Sequence, residues 1–306
     1  MTANSVQKKR GFNYAKYGYM FILPFVIVYI VFHLYPTFRT VLLSFTDCKG
    51  LGNTSLNFLQ TDVFANFTKI LTDPVFIKSL KNTAILWIVN FIPQIFFALL
   101  FTAWFTSRRN KIKGQGFFKV VFYMPNIITS ATIAILFNCL FMYPVGPVNS
   151  LLQDLGVIDK AFDFINKPTA ARLIISFIQF WMWYGYTMIT LISGVLGINP
   201  EIFEAAEIDG ASDWDIFWHI TIPNLKSILT YTLITSLIGG LSMYDIPKMF
   251  NAGQPMNTTL TTSMYIYNKA FSGSYLYAQA SAASMVLFVL IGILSVFVFL
   301  MMKDEK

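Results

Sequence analysis

The chain has 306 residues, of which 56% are hydrophobic and 12% are charged, and its mean hydropathy is +0.59. Soluble domains carry about 25% charged residues, so this composition excludes an ordinary soluble fold and predicts an integral membrane protein. The formal net charge of +7 lies largely in short basic clusters beside apolar runs, which is typical of membrane-helix flanks and argues against nucleic-acid binding. Cys48 and Cys139 are isolated, so we predict neither a disulfide framework nor a bound metal.

The first predicted membrane helix is Tyr19–Phe38, and the basic residues 1–16 before it are predicted to be a cytoplasmic segment. The apolar run is about twenty residues long, which is enough to cross a bilayer, and it lacks the small-residue cleavage site of a signal peptide. A polar external loop is predicted from Ser44 to Asn82. The second helix, Thr83–Ser107, contains no charged side chain.

A dense basic cluster follows the second helix, and short loops rich in Lys and Arg face the cytoplasm. It comprises Arg108, Arg109, Lys111, Lys113 and Lys119. Polar side chains in the following apolar segment would be costly in lipid, so we expect them to face other helices or a water-filled cavity. The remaining predicted helices are Val120–Met142, Leu173–Ile198, Lys226–Tyr244 and Ser281–Met302. The predicted topology is six helices with both termini in the cytoplasm.

Residues 199–225 form a polar, acidic island between two apolar runs, so they must lie in water against one face of the membrane. Asn199 followed by Pro200 is a helix-start signal. Gly210 stands where a left-handed residue would end that helix. The island is therefore predicted to begin with one short helix.

A second short helix is predicted after it, because Ser212 and Asp215 have the spacing of a capping box. This helix is expected to run to about residue 219. On the first helix, Phe203, Ala206 and Gly210 fall on one face at a spacing of three to four residues. The small residues on that face are expected to permit close docking of a partner.

Three short motifs of this island carry a resemblance to a known family. They are Glu204-Ala205-Ala206, Asp209-Gly210-Ala211 and Ile220-Thr221-Ile222-Pro223. Their residues and spacing resemble the cytoplasmic coupling loop of permeases in binding-protein-dependent ABC importers. Asn251-Ala252-Gly253 and Met264-Tyr265-Ile266-Tyr267 are most similar to the sugar and oligosaccharide permeases. The resemblance implies an all-α type I permease fold with six transmembrane helices, in which 17–306 is the permease domain and 199–225 the coupling loop.

Partners follow from the same resemblance. The chain contains no G-x-x-x-x-G-K-[ST] phosphate loop, so we expect it to be a transport subunit without a cofactor, not an enzyme. The resemblance implies that Mg-ATP binds two separate ATPase subunits and that an extracytoplasmic sugar-binding protein delivers the cargo. It also implies a second homologous permease, expected as a heterodimer partner although a homodimer stays open. The expected location is a bacterial cell membrane, with several helices in contact with lipid.

The resemblance also assigns site residues. For the ATPase-coupling loop they are Glu204, Ala205, Ala206, Asp209, Gly210, Ala211, Ile220 and Pro223. For substrate binding they are Asn126, Ser130, Gln179, Trp183, Tyr186, Thr235, Ile238, Gly239 and Ser242. Independently, Gln179, Trp183 and Tyr186 have the spacing of one helix side. We expect Gly239 to be a close-packing position rather than a ligand contact.

Alternative functions remain open at this point. The importer could carry a non-sugar solute such as a polyol, glycerol phosphate or a polyamine. An ion-coupled secondary transporter is disfavoured, because such proteins place acids in mid-membrane, whereas acids such as Asp245 lie in loops or at helix ends here. An intramembrane enzyme is disfavoured by the lack of a paired catalytic constellation, and a purely structural membrane subunit is the remaining alternative.

Overall fold

The computed structural model describes residues 15–53, 55–109 and 112–303, and secondary structure within these ranges is helical apart from one isolated bridge between Thr46 and Phe58. Most of the predicted N-terminal segment, Lys111 and the tail after Lys303 lie outside them. Four helices are long and apolar enough to cross a membrane, or up to six if each of two bent pairs is one span. A helical membrane protein is therefore confirmed, and the count of six stays a prediction.

The first span is longer than predicted. It consists of α1 (Ala15–Tyr29), a π-helical turn (Ile30–Leu34) and α2 (Tyr35–Leu43). The most apolar part of this span buries none of its residues against the rest of the described chain, and Phe21, for example, is 80% exposed. Its apolar surface is thus left for lipid or for a second chain.

The second span begins well before the predicted Thr83. A short helix, α3 (Ala65–Leu71), precedes it, and α4 then runs from Pro74 to Thr106. Asp73 explains the early start, since its carboxylate accepts a hydrogen bond of 2.8 Å from the backbone N–H of Val75 and Pro74 fits the first helical position. The prediction that the loop extends to Asn82 was wrong.

The third predicted helix is broken. The chain forms α5 (Gln115–Tyr123), a 3-10 turn (Met124–Ile127) and α6 (Ser130–Leu140), and the two halves are bent by 90°. Pro125 lacks the N–H that an α-helix needs at this point, and the Thr129 hydroxyl caps the second half by accepting a hydrogen bond from the Thr132 N–H. The prediction of one continuous helix over Val120–Met142 was wrong.

The rest of the chain follows the predicted order of helices. Helix α7 covers Pro147–Asp154, and α8, the fourth predicted helix, covers Pro168–Leu196 and is bent by 77° from the helix that follows. Three short helices come next: α9 (Pro200–Ile208), α10 (Asp213–Ile216) and, after a π-helical turn (Phe217–Thr221), α11 (Ile222–Asn224). The last four are α12 (Lys226–Leu241), α13 (Asp245–Asn251), α14 (Thr262–Phe271) and α15 (Tyr277–Met302).

The core lies along α4 and α8. At one end Leu86 packs with Ile178 and Met182, and at the other Ala98 packs with Met188 and further buried side chains. Helix α5 crosses α8 at Gly185, where a Cβ atom would lie 2.0 Å from the carbonyl oxygen of Phe122. Backbone therefore packs on backbone at this crossing, which holds the broken third helix against α8.

The start of α4 is anchored to α14 by a polar cluster. The Tyr265 hydroxyl donates a hydrogen bond of 2.6 Å to Asp73, and the Lys269 ammonium lies 3.4 Å from the same carboxylate oxygen. Burial alone would raise the pKa of Asp73, but the hydrogen bonds from Tyr265 and Val75 and the charge of Lys269 outweigh it and hold the pKa below its usual value. Burial and the adjacent carboxylate raise the pKa of Tyr265, so its hydroxyl remains a donor.

This cluster predicts an acid-dependent loss of stability. The folded-state pKa of Asp73 is depressed. The contribution of its carboxylate to folding stability is therefore complete above the ordinary pKa of 3.8 and is lost as pH falls through the folded-state pKa. We expect Asp73→Asn, which keeps the helix cap but not the charge, to lower the thermal midpoint of unfolding at pH 7. Between pH 5 and pH 3 the midpoint of this variant should fall less than that of the wild type. The control is Asp62→Asn, which changes an exposed turn carboxylate bonded to the N–H of Phe64. Equal acid sensitivity in wild type and Asp73→Asn would contradict this role.

Candidate coupling surface and central cavity

The structure of the acidic island agrees with its local sequence signals. The Asn199 side chain accepts a hydrogen bond of 3.2 Å from the N–H of Glu201, and Pro200 is the first residue of α9. Gly210 has φ = +79°, the left-handed conformation that favours glycine. Ser212 and Asp215 form the reciprocal capping box. Two short helices are therefore confirmed, although the second is interrupted by a π-helical turn from Phe217.

The face of α9 predicted to dock a partner is not fully exposed. Phe203 packs toward the buried cluster around Met188, and Ala206 is half-buried, so the face assigned to docking lies partly against this chain. Docking of a partner on the small residues of this face stays a prediction. The exposed residues of α9 include Glu204, Ala205 and Ile208, and the Ile208 side chain is 86% exposed.

The other predicted coupling residues follow those of α9 in the chain. Asp209 and Gly210 are exposed at its end, and Ala211 is half-buried. Ile220 is half-buried in the π-helical turn, and Pro223 is exposed in α11, directly before α12. The predicted coupling residues therefore all lie in the segment between α8 and α12.

Two arginines directly after α4 hold α9 near both of its ends. Arg108 Nη2 lies 3.0 Å from Glu204 Oε1, and Arg108 Nη1 donates to the carbonyl of Pro200 at 3.4 Å. Arg109 Nη2 donates to the carbonyl of Ala211 at 2.8 Å, and its Nε lies 3.7 Å from Asp213. We name Arg108 and Arg109 the arginine clamp. Sequence reasoning used these residues only as markers of topology, because their partners are distant in the chain.

A cavity of about 470 Å³ lies between α4, α8, α12 and α13. Seven of the nine predicted substrate-binding residues line it: Ser130, Gln179, Trp183, Tyr186, Thr235, Gly239 and Ser242. The remaining two lie elsewhere, since Asn126 is half-buried in the 3-10 turn and Ile238 is 44% exposed on α12 without lining the cavity.

Close packing occurs at Gly240 rather than at Gly239. A Cβ atom on Gly240 would lie 2.0 Å from Trp87 Cδ1, whereas one on Gly239 would meet nothing within 4 Å. The expectation that Gly239 is the close-packing position was therefore wrong. Gly239 borders open space in the cavity, and Gly240 lets α12 approach the indole of Trp87.

Helix α4 supplies a wall of the cavity that sequence reasoning missed. Trp87 Nε1 donates to Ser236 Oγ at 3.3 Å, and Gln94 Nε2 donates to Thr187 Oγ1 at 2.9 Å. The spacing of Trp87, Asn90 and Gln94, three and four residues apart in an apolar helix, was the signal that could have found them. Further lining residues outside the prediction are Thr187, Tyr231, Thr232, Ser236, Gly240, Met243, Tyr244, Asp245 and Ile246.

The cavity suits an uncharged, hydroxyl-rich solute. Rings of Trp87, Trp183 and Tyr186 offer flat apolar faces, and the amides of Asn90 and Gln179 offer hydrogen-bond donors and acceptors. Within the described part of the chain, no group of three or more His, Cys, Asp and Glu side chains could hold a metal ion. The arrangement supports binding by stacking and hydrogen bonding.

Comparison with known proteins identifies the family. Residues 83–304 match the family model described as the binding-protein-dependent transport system inner membrane component. The chain belongs to this family. It is therefore a multi-pass membrane subunit of a transport system and not an enzyme.

Relatives of this inner-membrane component are similar over nearly their whole length. The chain is 33% identical to the lactose transport system permease protein LacF of Rhizobium radiobacter, over 94% of this chain and 95% of that one. It is 29% identical to the multiple sugar-binding transport system permease protein MsmF of Streptococcus mutans, over 92% and 93%. A crystal structure of a bacterial ABC transporter involved in the import of the acidic polysaccharide alginate superposes with a TM-score of 0.75 at 22% identity, covering 94% and 95%. That structure supports the fold.

Proposed function

We propose that this chain is a permease subunit of an ATP-driven importer for sugars, with an oligosaccharide as the cargo. The observation that carries the proposal is the cavity between α4, α8, α12 and α13, where aromatic faces stand beside neutral amides and hydroxyls. Aromatic faces pack on the C–H surfaces of a sugar ring, and neutral polar groups replace the water bound to its hydroxyls. Relatives named for lactose and for arabinooligosaccharides support a sugar cargo.

The proposed topology is six spans in a bacterial cell membrane, with both termini and residues 199–225 in the cytoplasm. It counts the bent pair of α5 and α6 as one span and α8 as another, with α9 outside the membrane. Arg108 and Arg109 lie in the short connection after α4, and Lys and Arg in short loops favour the cytoplasmic side. Because the arginine clamp holds α9, the basic connection and the coupling segment lie at the same end of the bundle.

The proposed partners occupy three surfaces. Two ATPase subunits, which bind Mg-ATP, dock under a pair of permeases, and the exposed Glu204, Ala205 and Ile208 of α9 contact one of them. A second homologous permease completes the membrane unit as a heterodimer. An extracytoplasmic sugar-binding protein delivers the cargo at the opposite end, which is consistent with a fold neighbour solved in complex with a periplasmic protein bound to an alginate pentasaccharide.

The proposed mechanism is alternating access driven through α9. Closure of the ATPase pair moves α9, and two connections carry this motion to the cavity. One runs through Pro223 into α12, and the other runs through the arginine clamp into α4. Both helices line the cavity, so movement of α9 changes the shape of its walls.

Transport by the reconstituted complex tests this function. We expect proteoliposomes that contain the complete transporter and internal ATP to take up radiolabelled lactose or an arabino-oligosaccharide when the binding protein is present. A complex with a hydrolysis-deficient ATPase partner is the control. Uptake of a polyol, glycerol phosphate or a polyamine instead of a sugar would show that the cargo is not a sugar. Uptake driven by a sodium or proton gradient without ATP would contradict an ATP-driven importer.

A further inference from the structure

Asp245 is the single acidic or basic side chain among the residues that line the cavity. The other lining residues carry aromatic, amide, hydroxyl or apolar groups or are glycines. Among the described residues no Lys or Arg forms an ion pair with Asp245 within 4.0 Å, and no side-chain hydrogen bond occupies its carboxylate. Lys248, one turn further along α13, lies over the ring of Tyr267, 5.7 Å from its centroid. The cavity therefore has one unneutralised negative charge at its edge.

The position of Asp245 is fixed by the residues around it. Ile246 and Phe250 are buried in the core cluster that includes Ile178 and Met182, so α13 is held against α8. The turn before α13 is also held, because Thr261 Oγ1 donates to the carbonyl of Met243 at 2.8 Å. A carboxylate carried on such an anchored turn keeps its place beside the cargo, unlike one on a mobile loop.

We propose that Asp245 selects the charge of the cargo, so that the cavity accepts neutral and amino-bearing sugars and rejects sugars that carry a carboxylate. This inference rests on the proposed function. Asp245 is exposed at the cavity edge, so a carboxylate on the cargo within several ångströms of it would meet a like charge, which lowers affinity by about tenfold, and an ammonium group would gain by a similar factor. The fold itself sets no such preference, since a protein of this fold serves import of the acidic polysaccharide alginate.

Three lactose-based ligands test the proposal on the purified transporter without its binding protein, which would otherwise impose its own selection. They are lactose, a derivative with an amino group in place of one hydroxyl, and a derivative with C6 of the galactose ring oxidised to a carboxylate. We expect the wild type to bind the carboxylate at least tenfold more weakly than lactose, and the amine more tightly. Asp245→Asn should bring the Kd values of the amine and the carboxylate close to that of lactose measured on the same variant, and Asp245→Glu should retain both differences.

The matched control is Asp159→Asn, which removes an acid that does not line the cavity and should leave all three Kd values unchanged. If lactose and the carboxylate both bind and the ratio of their Kd values is the same in wild type and Asp245→Asn, the proposed role of Asp245 is wrong. The proposed sugar-binding cavity is then retained. If none of the three ligands binds to the wild type and none is taken up by the reconstituted complex, the proposed function fails, and this inference fails with it.

Discussion

Replacing Gly210 with proline is expected to abolish ATP-driven transport while leaving the chain inserted and folded. Gly210 has φ = +79° and its N–H donates to the carbonyl of Glu207 at 3.2 Å. Proline fixes φ near −65° and has no N–H, so the angle between α9 and α10 must change. We expect substrate-stimulated ATP hydrolysis by the reconstituted complex to fall at least tenfold, because α9 then no longer fits both its ATPase partner and the arginine clamp.

Gly156→Pro is a closely matched control for this variant. Gly156 also follows a short helix, has φ = +67°, and donates its N–H to the carbonyl of Gln153 at 2.9 Å. It lies after α7, far in sequence from the coupling segment. The two substitutions therefore impose the same local backbone change at different places. Equal losses of stimulated ATP hydrolysis in both variants would show a general folding defect and remove the evidence for coupling at Gly210.

Gly240→Ala is expected to reduce sugar uptake at least tenfold. The new methyl group would lie 2.0 Å from Trp87 Cδ1, so the indole must leave its position and its hydrogen bond to Ser236 is lost. Overpacking of this kind typically costs 1–3 kcal/mol, and here it also deforms the wall that α4 contributes to the cavity. The measurement is the initial rate of uptake into proteoliposomes, with the amount of inserted protein determined for each variant.

Gly239→Ala, one residue earlier, separates packing from helix propensity. Both changes replace a glycine by alanine within α12, and alanine favours the helix at each position. A Cβ atom at Gly239 meets nothing within 4 Å, so Trp87 keeps its position and uptake should fall far less than in Gly240→Ala. If Gly239→Ala impaired uptake as strongly as Gly240→Ala, the approach of α12 to Trp87 would not explain the loss.

Local signals in the sequence were sufficient to predict the two short helices within residues 199–225. The cap at Asn199, the left-handed Gly210 and the capping box of Ser212 and Asp215 all depend on interactions within a few residues. Such interactions can be predicted from neighbouring residues alone. The orientation of Phe203 could not be predicted in this way, because it depends on a hydrophobic cluster built from α4, α8 and the start of α12.

Long-range packing explains the other differences. Whether Gly239 or Gly240 is close-packed depends on where Trp87 of another helix lies. The partners of Arg108 are about a hundred residues away in the chain, so its spacing to nearby residues carried no information about them. In contrast, the break near Pro125 had a local signal that the continuous apolar pattern of the segment obscured.

The most direct measurement is the accessibility and cross-linking of a single cysteine at position 208, where Ile208 is the most exposed large apolar residue of α9. Cys48 and Cys139 are free cysteines, so both are first replaced by serine. Ile208→Cys is expected to react with a membrane-impermeant reagent only from the cytoplasmic side, and to cross-link to an ATPase subunit in the assembled transporter. Reaction from the external side, or full accessibility in the assembled transporter without any cross-link, would contradict the proposed role of α9 in coupling.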